Sequence, residues 1–277
     1  MKEKNRPMII NKKTIVEDLG EIKNPIEIND SLIPFPKRSN EDIIDNGLWF
    51  EKNGTLYYFK VPKYDSYFLN ELVGEKISSY FEVPTVHYQL AKLEIDNQIL
   101  YGLISPYSRK QDKHYLTLYQ WAVQEGWIPR IYSDNFIEFL NQKFPNEPIT
   151  HQIKRLLARE FYSQELDRND DELIVEISDN ISLAPLVDYE YELDGSEPIQ
   201  SISLPGIQRI NPGLRYERSV ILLDQELKDS FLSIKNINMN KILKTIKEET
   251  KINLIPYDKD SYLSFDNKMK KYIKTYL

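Results

Sequence analysis

SQELDRNDDELIVEISDNISLAPLVDYEYELDGSE, residues 163–197, is the stretch on which the reading of this 277-residue chain turns. It holds 12 acidic residues and one basic one, Arg168, whereas the other 242 residues carry 35 Lys or Arg against 31 Asp or Glu. The chain's net charge of −7 is therefore −11 from this segment offset by +4 elsewhere. Charge gathered in this way repels itself unless cations or solvent absorb it. Inside the segment come an Asp-rich turn, an apolar run from Leu173 to Ile177, a short turn, a second run from Ile181 to Val187, and Asp188. A β-hairpin with Asp167 before it and Asp188 after it suits Mg²⁺, which takes one or two carboxylates together with substrate phosphates. A solvated acidic hairpin is the alternative reading of the same residues.

Upstream residues bear on that choice. Gly47 to Val61 reads as two β-like runs joined at Asn53-Gly54, a strong hairpin signal. Lys60 falls near the end of the second run, among aromatic and apolar neighbours. A helical stretch from Tyr67 to Phe81 follows Pro62, with Leu69, Leu72, Val73, Ile77 and Tyr80 spaced for one buried face. Glu71 and Glu75 sit one turn apart in it. A strand Lys followed eleven residues later by a helix Glu is how a kinase N-lobe positions nucleotide phosphates; a surface ion pair is the plainer alternative. Two further strands are expected over Val86–Leu93 and Ile99–Ile104, then a turn at Ser105-Pro106-Tyr107.

Four pieces in this order resemble the HipA-like serine/threonine kinases, atypical members of the protein-kinase fold. Tyr58-Phe59-Lys60-Val61-Pro62 is similar to the nucleotide-binding lysine strand. Asn70-Glu71-Leu72-Val73, continuing to Phe81-Glu82-Val83-Pro84-Thr85-Val86, is similar to the Asn-Glu helix and its Val-Pro exit. Tyr101 to Arg109 resembles the strand, hinge and trailing Arg. Leu166-Asp167-Arg168 and Leu186-Val187-Asp188-Tyr189 resemble the catalytic-loop and metal-binding aspartates. The resemblance covers roughly Leu48 to Leu193. It implies that Lys60 binds the ATP α/β-phosphates, Glu71 orients Lys60, and Asp167 is the base. It also implies Asp188 as metal ligand and backbone contacts to adenine near Ser105 and Tyr107.

The departures are specific. Where the family has His two residues and Asn five residues after the catalytic Asp, this chain has Asn169 and Glu172. The Glu172 carboxylate remains a ligand for a hard cation, so Glu172 joins Asp188 as an expected Mg²⁺ ligand. The glycine-rich phosphate loop is missing: from Pro34 to Phe50 the only glycine is Gly47. Backbone amides approach phosphates closely where residues are small. Ser203-Leu204-Pro205-Gly206-Ile207-Gln208 resembles such a loop but comes out of order, and is read as coincidence within a loop.

Composition closes off other classes. The chain has no cysteine, which excludes disulfides, thiolate nucleophiles and Cys-based metal sites. His87 (in an expected strand), His114 (in a polar loop) and His151 (at a helix start) share no ligand spacing, and no nucleophile-elbow motif supports a hydrolase. An acidic chain argues against nucleic acid as partner. No apolar run approaches a membrane span and the N-terminus has no apolar leader core, so a soluble cytoplasmic protein is expected.

The remaining pattern is helical. Leu116–Gln124 stops near Gly126; Ser133 is placed to cap a helix through Phe144; Thr150 is placed to cap another that delivers Asp167. Gly195–Leu214 reads as irregular, and helices are expected over about Asn240–Lys251 and Ser264–Leu277. The sum is an α+β, two-lobed, protein-kinase-like fold: an N-terminal arm over 1–40, a β-rich N-lobe with one helix over 41–107, and a mainly helical C-lobe over 108–277 with the catalytic-loop hairpin near 166–190. The expected function is transfer of phosphate from ATP, with Mg²⁺, to a Ser or Thr hydroxyl of a protein substrate. A regulatory partner protein is a further expectation. A pseudokinase or nucleotide-binding scaffold, and a kinase-fold enzyme with a non-protein acceptor, stay open.

Overall fold

Six short strands build one mixed sheet in the N-terminal half of the computed structural model: β1 (Lys2–Glu3), β2 (Glu17–Glu21), β3 (Leu48–Lys52), β4 (Thr55–Lys60), β5 (Gln89–Ile95) and β6 (Gln98–Pro106). The structure describes residues 2–3, 6–22, 47–95, 97–106, 113–127, 134–163, 173–187, 189, 202–204, 207–210, 224–254 and 256–277. The sheet runs β2-β5-β6-β4-β3, with β1 pairing parallel to β6. Asn53 and Gly54 both take positive φ, 53° and 76°, as the tight turn between β3 and β4 requires. The sheet's two faces bury different clusters. Leu48, Phe50, Phe59, Leu93, Leu100 and Ile104 form a small outer cluster, while Leu90, Tyr101 and Leu103 join the main core. Alternation along β4 thus sends Phe59 outward and leaves its neighbour Lys60 for the helix side.

The helix on that side, α1 (Asp65–Tyr80), is buried almost all round, polar residues included. Its buried polar side chains take defined partners. Asn70 accepts from the Tyr262 hydroxyl, Glu75 lies 2.9 Å from His87 Nδ1 and accepts from the Tyr88 N–H at 2.9 Å. Asp65, in the first turn, accepts from the Met8 N–H at 2.6 Å. The residues expected as an arm are therefore partly built in: Ile9 and Ile10 are core residues, and β2 pairs parallel with β5. Ile15 N–H donates to the Thr250 carbonyl, which ties the same stretch to the C-terminal helices.

The second half is mainly helical. β7 (His114–Thr117) leads into α2 (Leu118–Gln124), whose Thr117 and Gln120 form a reciprocal capping box. Next come α3 (Asp134–Lys143) and α4 (Pro148–Ser163), the central buried helix. β8 (Ile174–Ile177) and β9 (Ile181–Leu183) form a hairpin that pairs with β7. β10 (Ile202–Leu204) and β11 (Ile207–Ile210) pair with each other. α5 (Gln225–Ser233), α6 (Met239–Thr250) and α7 (Pro256–Tyr276) close the chain. No helix among the described residues is long and apolar enough to cross a membrane.

Several local expectations are corrected. Leu116 and Thr117 belong to a strand, because β8 offers His114–Thr117 a ladder partner that no local pattern announces. His114 is consequently a strand residue. His87 precedes its strand rather than lying in it, held there by Glu75. Thr150 is not a cap: α4 starts two residues earlier, at a proline, and the Thr150 hydroxyl donates to the Phe144 carbonyl at 2.7 Å. The stretch read as irregular contains the β10–β11 pair. Ser133 lies outside the described residues.

Two outcomes follow from the packing. A Cβ on Gly102 would stand 2.4 Å from the Lys60 carbonyl oxygen and 2.6 Å from the Phe59 ring. Gly102→Ala should therefore cost about 1–3 kcal/mol by overpacking, read as a lower urea midpoint; an unchanged midpoint would mean that β4 shifts freely. Second, the hydrogen bond to Glu75 raises His87 above its usual 6.5, with burial opposing and the Glu75 charge adding. Burial pushes Glu75 up, yet His87, the Tyr88 N–H and Lys76 outweigh it and hold it below its usual value. A raised histidine stabilises below 6.5 and loses that contribution as pH rises through its folded value. The Tm advantage of wild type over His87→Gln should therefore shrink as pH rises above 6.5, and a constant gap would contradict the linkage.

Candidate functional site

β4 ends with Lys60 on the face that α1 covers, one position after Phe59 fills the outer cluster. Glu71 stands on the second turn of α1, three residues after Phe68 and next to Leu72, both packed into the core. The result is a direct contact: Lys60 Nζ donates to Glu71 Oε1 at 2.6 Å, with the Glu71 side chain fully buried and the Lys60 side chain 9 % exposed. An ion pair taken this far from water gives back little stability, since desolvation of both charges offsets their attraction. Its value lies in geometry, because it fixes where the ammonium points.

The second oxygen of Glu71 reaches across the fold. Glu71 Oε2 accepts the backbone N–H of Tyr189 at 3.0 Å. One carboxylate thus joins the strand lysine, the helix and the residue that follows Asp188 in the chain. Tyr189 is itself held at its ring and its hydroxyl. The Arg159 guanidinium of α4 lies 4.7 Å from its ring centroid. Its hydroxyl donates to the Leu186 carbonyl at 3.3 Å, shares a short contact with Thr85 Oγ1, and accepts from Ser78 Oγ at 3.4 Å. The approach to this point is pinned as well: Leu186 N–H donates to the Pro84 carbonyl and Val86 N–H to the Leu186 carbonyl, at 2.8 and 3.0 Å. These bonds join the post-hairpin segment to the loop between α1 and β5.

Of the residues singled out from the sequence, the structure brings Lys60 and Glu71 together. Ser105 is buried on β6, opposite Tyr58 of β4, two residues beyond the Leu103–Lys60 pair. Tyr107, Asp167, Glu172 and Asp188 lie outside the described residues. Among the described residues no group of three His, Asp or Glu side chains is arranged for a metal ion. Gly47 serves packing: it takes φ 67°, and a Cβ there would stand 2.2 Å from the Tyr58 hydroxyl.

Arg159 and Tyr189 carried no role in the sequence reading. A signal was present: Arg159-Glu160 interrupts the inner stripe of α4, where Ile153, Leu156, Leu157 and Phe161 are core residues. A charged pair in an apolar stripe demands a partner. The sequence does not say which one, because Ser78 and Tyr189 lie 81 and 30 positions away.

No protein-family model and no curated protein matches this sequence. Solved structures do match. The proinflammatory kinase CtkA of Helicobacter pylori superposes with a TM-score of 0.59 at 12 % identity, over 93 % of this chain and 94 % of that one. HipA of Shewanella oneidensis MR-1, from a toxin–antitoxin complex with HipB and operator DNA, gives a TM-score of 0.54 at 9 % identity. That match spans 92 % of this chain and 66 % of the HipA chain. Likeness at such low identity speaks for shape alone, and the shape is specific: a curled sheet with one buried helix, joined to a helical second lobe. The chain has the HipA-like kinase fold.

Proposed function

We propose that this chain is a protein kinase that transfers the γ-phosphoryl group of ATP, with Mg²⁺, to a Ser or Thr hydroxyl. The observation that carries the reading is the Glu71 carboxylate, which accepts from Lys60 with one oxygen and from the Tyr189 N–H with the other. This arrangement fits a nucleotide: a buried, oriented ammonium beside the chain segment that contains Asp188 suits a triphosphate whose charge a metal shares. Mg²⁺ would neutralise charge on the phosphates as the transferred group moves. Lys60 would bind the α/β-phosphates, with Glu71 keeping it pointed at them. The backbone from Ser105 to Tyr107 would contact adenine. Asp188, with Glu172, would hold the metal, and Asp167 would accept the proton of the acceptor hydroxyl. Such a kinase would act in the cytoplasm on a protein substrate, with a regulatory partner as a further expectation.

Two features favour a second reading, a pseudokinase or nucleotide-binding scaffold. Asn169 and Glu172 replace the family's His and Asn, and Gly47 is occupied by packing against Tyr58. A kinase-fold enzyme acting on a non-protein acceptor is the third. Mass spectrometry of the chain purified from its host separates them. Phosphorylated Ser or Thr supports protein phosphorylation, an AMP adduct supports nucleotidyl transfer, and neither supports the scaffold.

Two variants test the site. Lys60→Met combined with Glu71→Gln removes the pair without stranding a buried charge, and the glutamine oxygen still accepts from Tyr189. Its circular dichroism should match wild type while affinity for ATP·Mg²⁺ falls about tenfold or more, roughly 1.4 kcal/mol; equal affinity would reduce Lys60 to a structural lysine. Asp188→Ala should abolish Mg²⁺-dependent phosphotransfer while ATP affinity in EDTA stays as in wild type. Unchanged phosphotransfer by this variant would remove Asp188 from the metal site.

A further inference from the structure

Arg159 is an arginine that helix packing does not call for. It sits in the C-terminal half of α4 with no exposed surface, between core residues of the second lobe. Its Nη1 donates to Glu160 Oε1 at 3.0 Å, and the Glu160 side chain is buried as well. A buried pair of this kind is commonly replaceable by apolar residues of similar volume with no loss of stability, and sometimes with a gain. What Arg159 does beyond pairing is hold two other groups. Its Nε donates to Ser78 Oγ on α1 at 3.0 Å, and its guanidinium lies 4.7 Å from the Tyr189 ring centroid. Ser78 in turn donates to the Tyr189 hydroxyl at 3.4 Å.

A desolvated guanidinium over a tyrosine face is a strong form of cation–π contact, and the planar fork allows stacking and hydrogen bonding at once. Tyr189 is the residue after Asp188, and its N–H is the donor that Glu71 accepts. The chain at this point is therefore fixed from three sides: Glu71 at the backbone, Thr85 and Leu186 at the hydroxyl, and Arg159 on the ring.

We propose that Arg159 is a positioning residue, whose stacked guanidinium sets Tyr189 and through it the segment that carries Asp188. The part of this inference that concerns metal rests on the kinase reading above; the part that concerns Tyr189 does not. Because Glu71 links Tyr189 to Lys60, loss of Arg159 reaches the metal-dependent share of nucleotide affinity more strongly than the lysine-dependent share.

The test uses the full chain with Arg159→Met and Glu160→Gln together, which removes both buried charges at once. Two quantities are read: hydrogen exchange of the peptide containing Tyr189, and ATP affinity in Mg²⁺ and in EDTA. Exchange at Tyr189 should become about tenfold faster or more, in keeping with loss of a desolvated cation–π contact, while α7 keeps wild-type protection. Affinity in Mg²⁺ should fall by a similar factor, and affinity in EDTA should fall less. Wild-type exchange at Tyr189, or wild-type affinity in Mg²⁺, overturns the proposal. If wild type binds no ATP in either condition, the kinase reading falls and hydrogen exchange alone decides the role of Arg159. If the double variant does not fold, Arg159→Lys replaces it. That variant keeps the charge, loses the planar stack, and should move both quantities in the same direction by less; no movement overturns the proposal.

Discussion

The fold depends on a carboxylate that has no water to turn to. Glu71 is fully buried, and an ionised carboxylate in that setting is tolerable only if its oxygens are met by good donors. One is met by the Lys60 ammonium and the other by the Tyr189 amide. These donors come from a strand of the first lobe and from the segment after the second lobe's hairpin. Satisfying one side chain therefore requires the sheet, α1 and the post-hairpin segment to arrive in register. A shift of any of the three leaves a buried charge unpaired, at a cost of several kcal/mol.

α1 is where this constraint becomes architecture. It presents no clean apolar stripe, since Asn70, Glu71, Glu75 and Ser78 are buried beside Leu69, Leu72, Val73 and Ile77. Its polar residues instead specify its neighbours. Asn70 meets Tyr262 of α7, Glu75 meets His87 and Tyr88 at the entry to β5, and Ser78 meets Arg159 of α4. Lys76 adds a bridge to Glu249 of α6 at 2.7 Å. A helix held by so many directional contacts has its rotation set, and the orientation of Lys60 is set with it. The N-terminal residues reinforce this, because Met8 bonds α1 while Ile15 bonds the end of α6.

A fold of this kind hosts several chemistries, so function has to be argued from the site. The Lys60–Glu71–Tyr189 chain of contacts is the geometry on which the proposed nucleotide site rests. The acceptor side is where this chain departs from the family it resembles, at Asn169 and Glu172. That division explains why the nucleotide expectation and the acceptor expectation rest on different footings: the first has geometry beneath it, the second has motif order.

Much was legible in one dimension. Asn53-Gly54 announces its hairpin because the turn geometry is a property of two adjacent residues. The helix with Glu71, the Lys60 strand and the hairpin after Asp167 announce themselves through local periodicity. The eleven-residue spacing from Lys60 to Glu71 leads to the contact because a short loop and two turns of helix leave little freedom. The strand at His114–Thr117 was not legible, since a ladder partner 57 to 63 residues away makes it a strand. Neither was the burial of Ile9 and Ile10, a stretch whose Ile9 carbonyl accepts from the Asn253 N–H near the far end of the chain. Sequence alone determined most of the element types, the lysine–glutamate spacing and the family likeness, because these are carried by neighbouring residues. Only the tertiary structure decided that Glu71 would reach Tyr189 and that Arg159 would lie on its ring. Those contacts join residues 118 and 30 positions apart, and their strength comes from a low-dielectric interior, which exists only once the chain has closed around them.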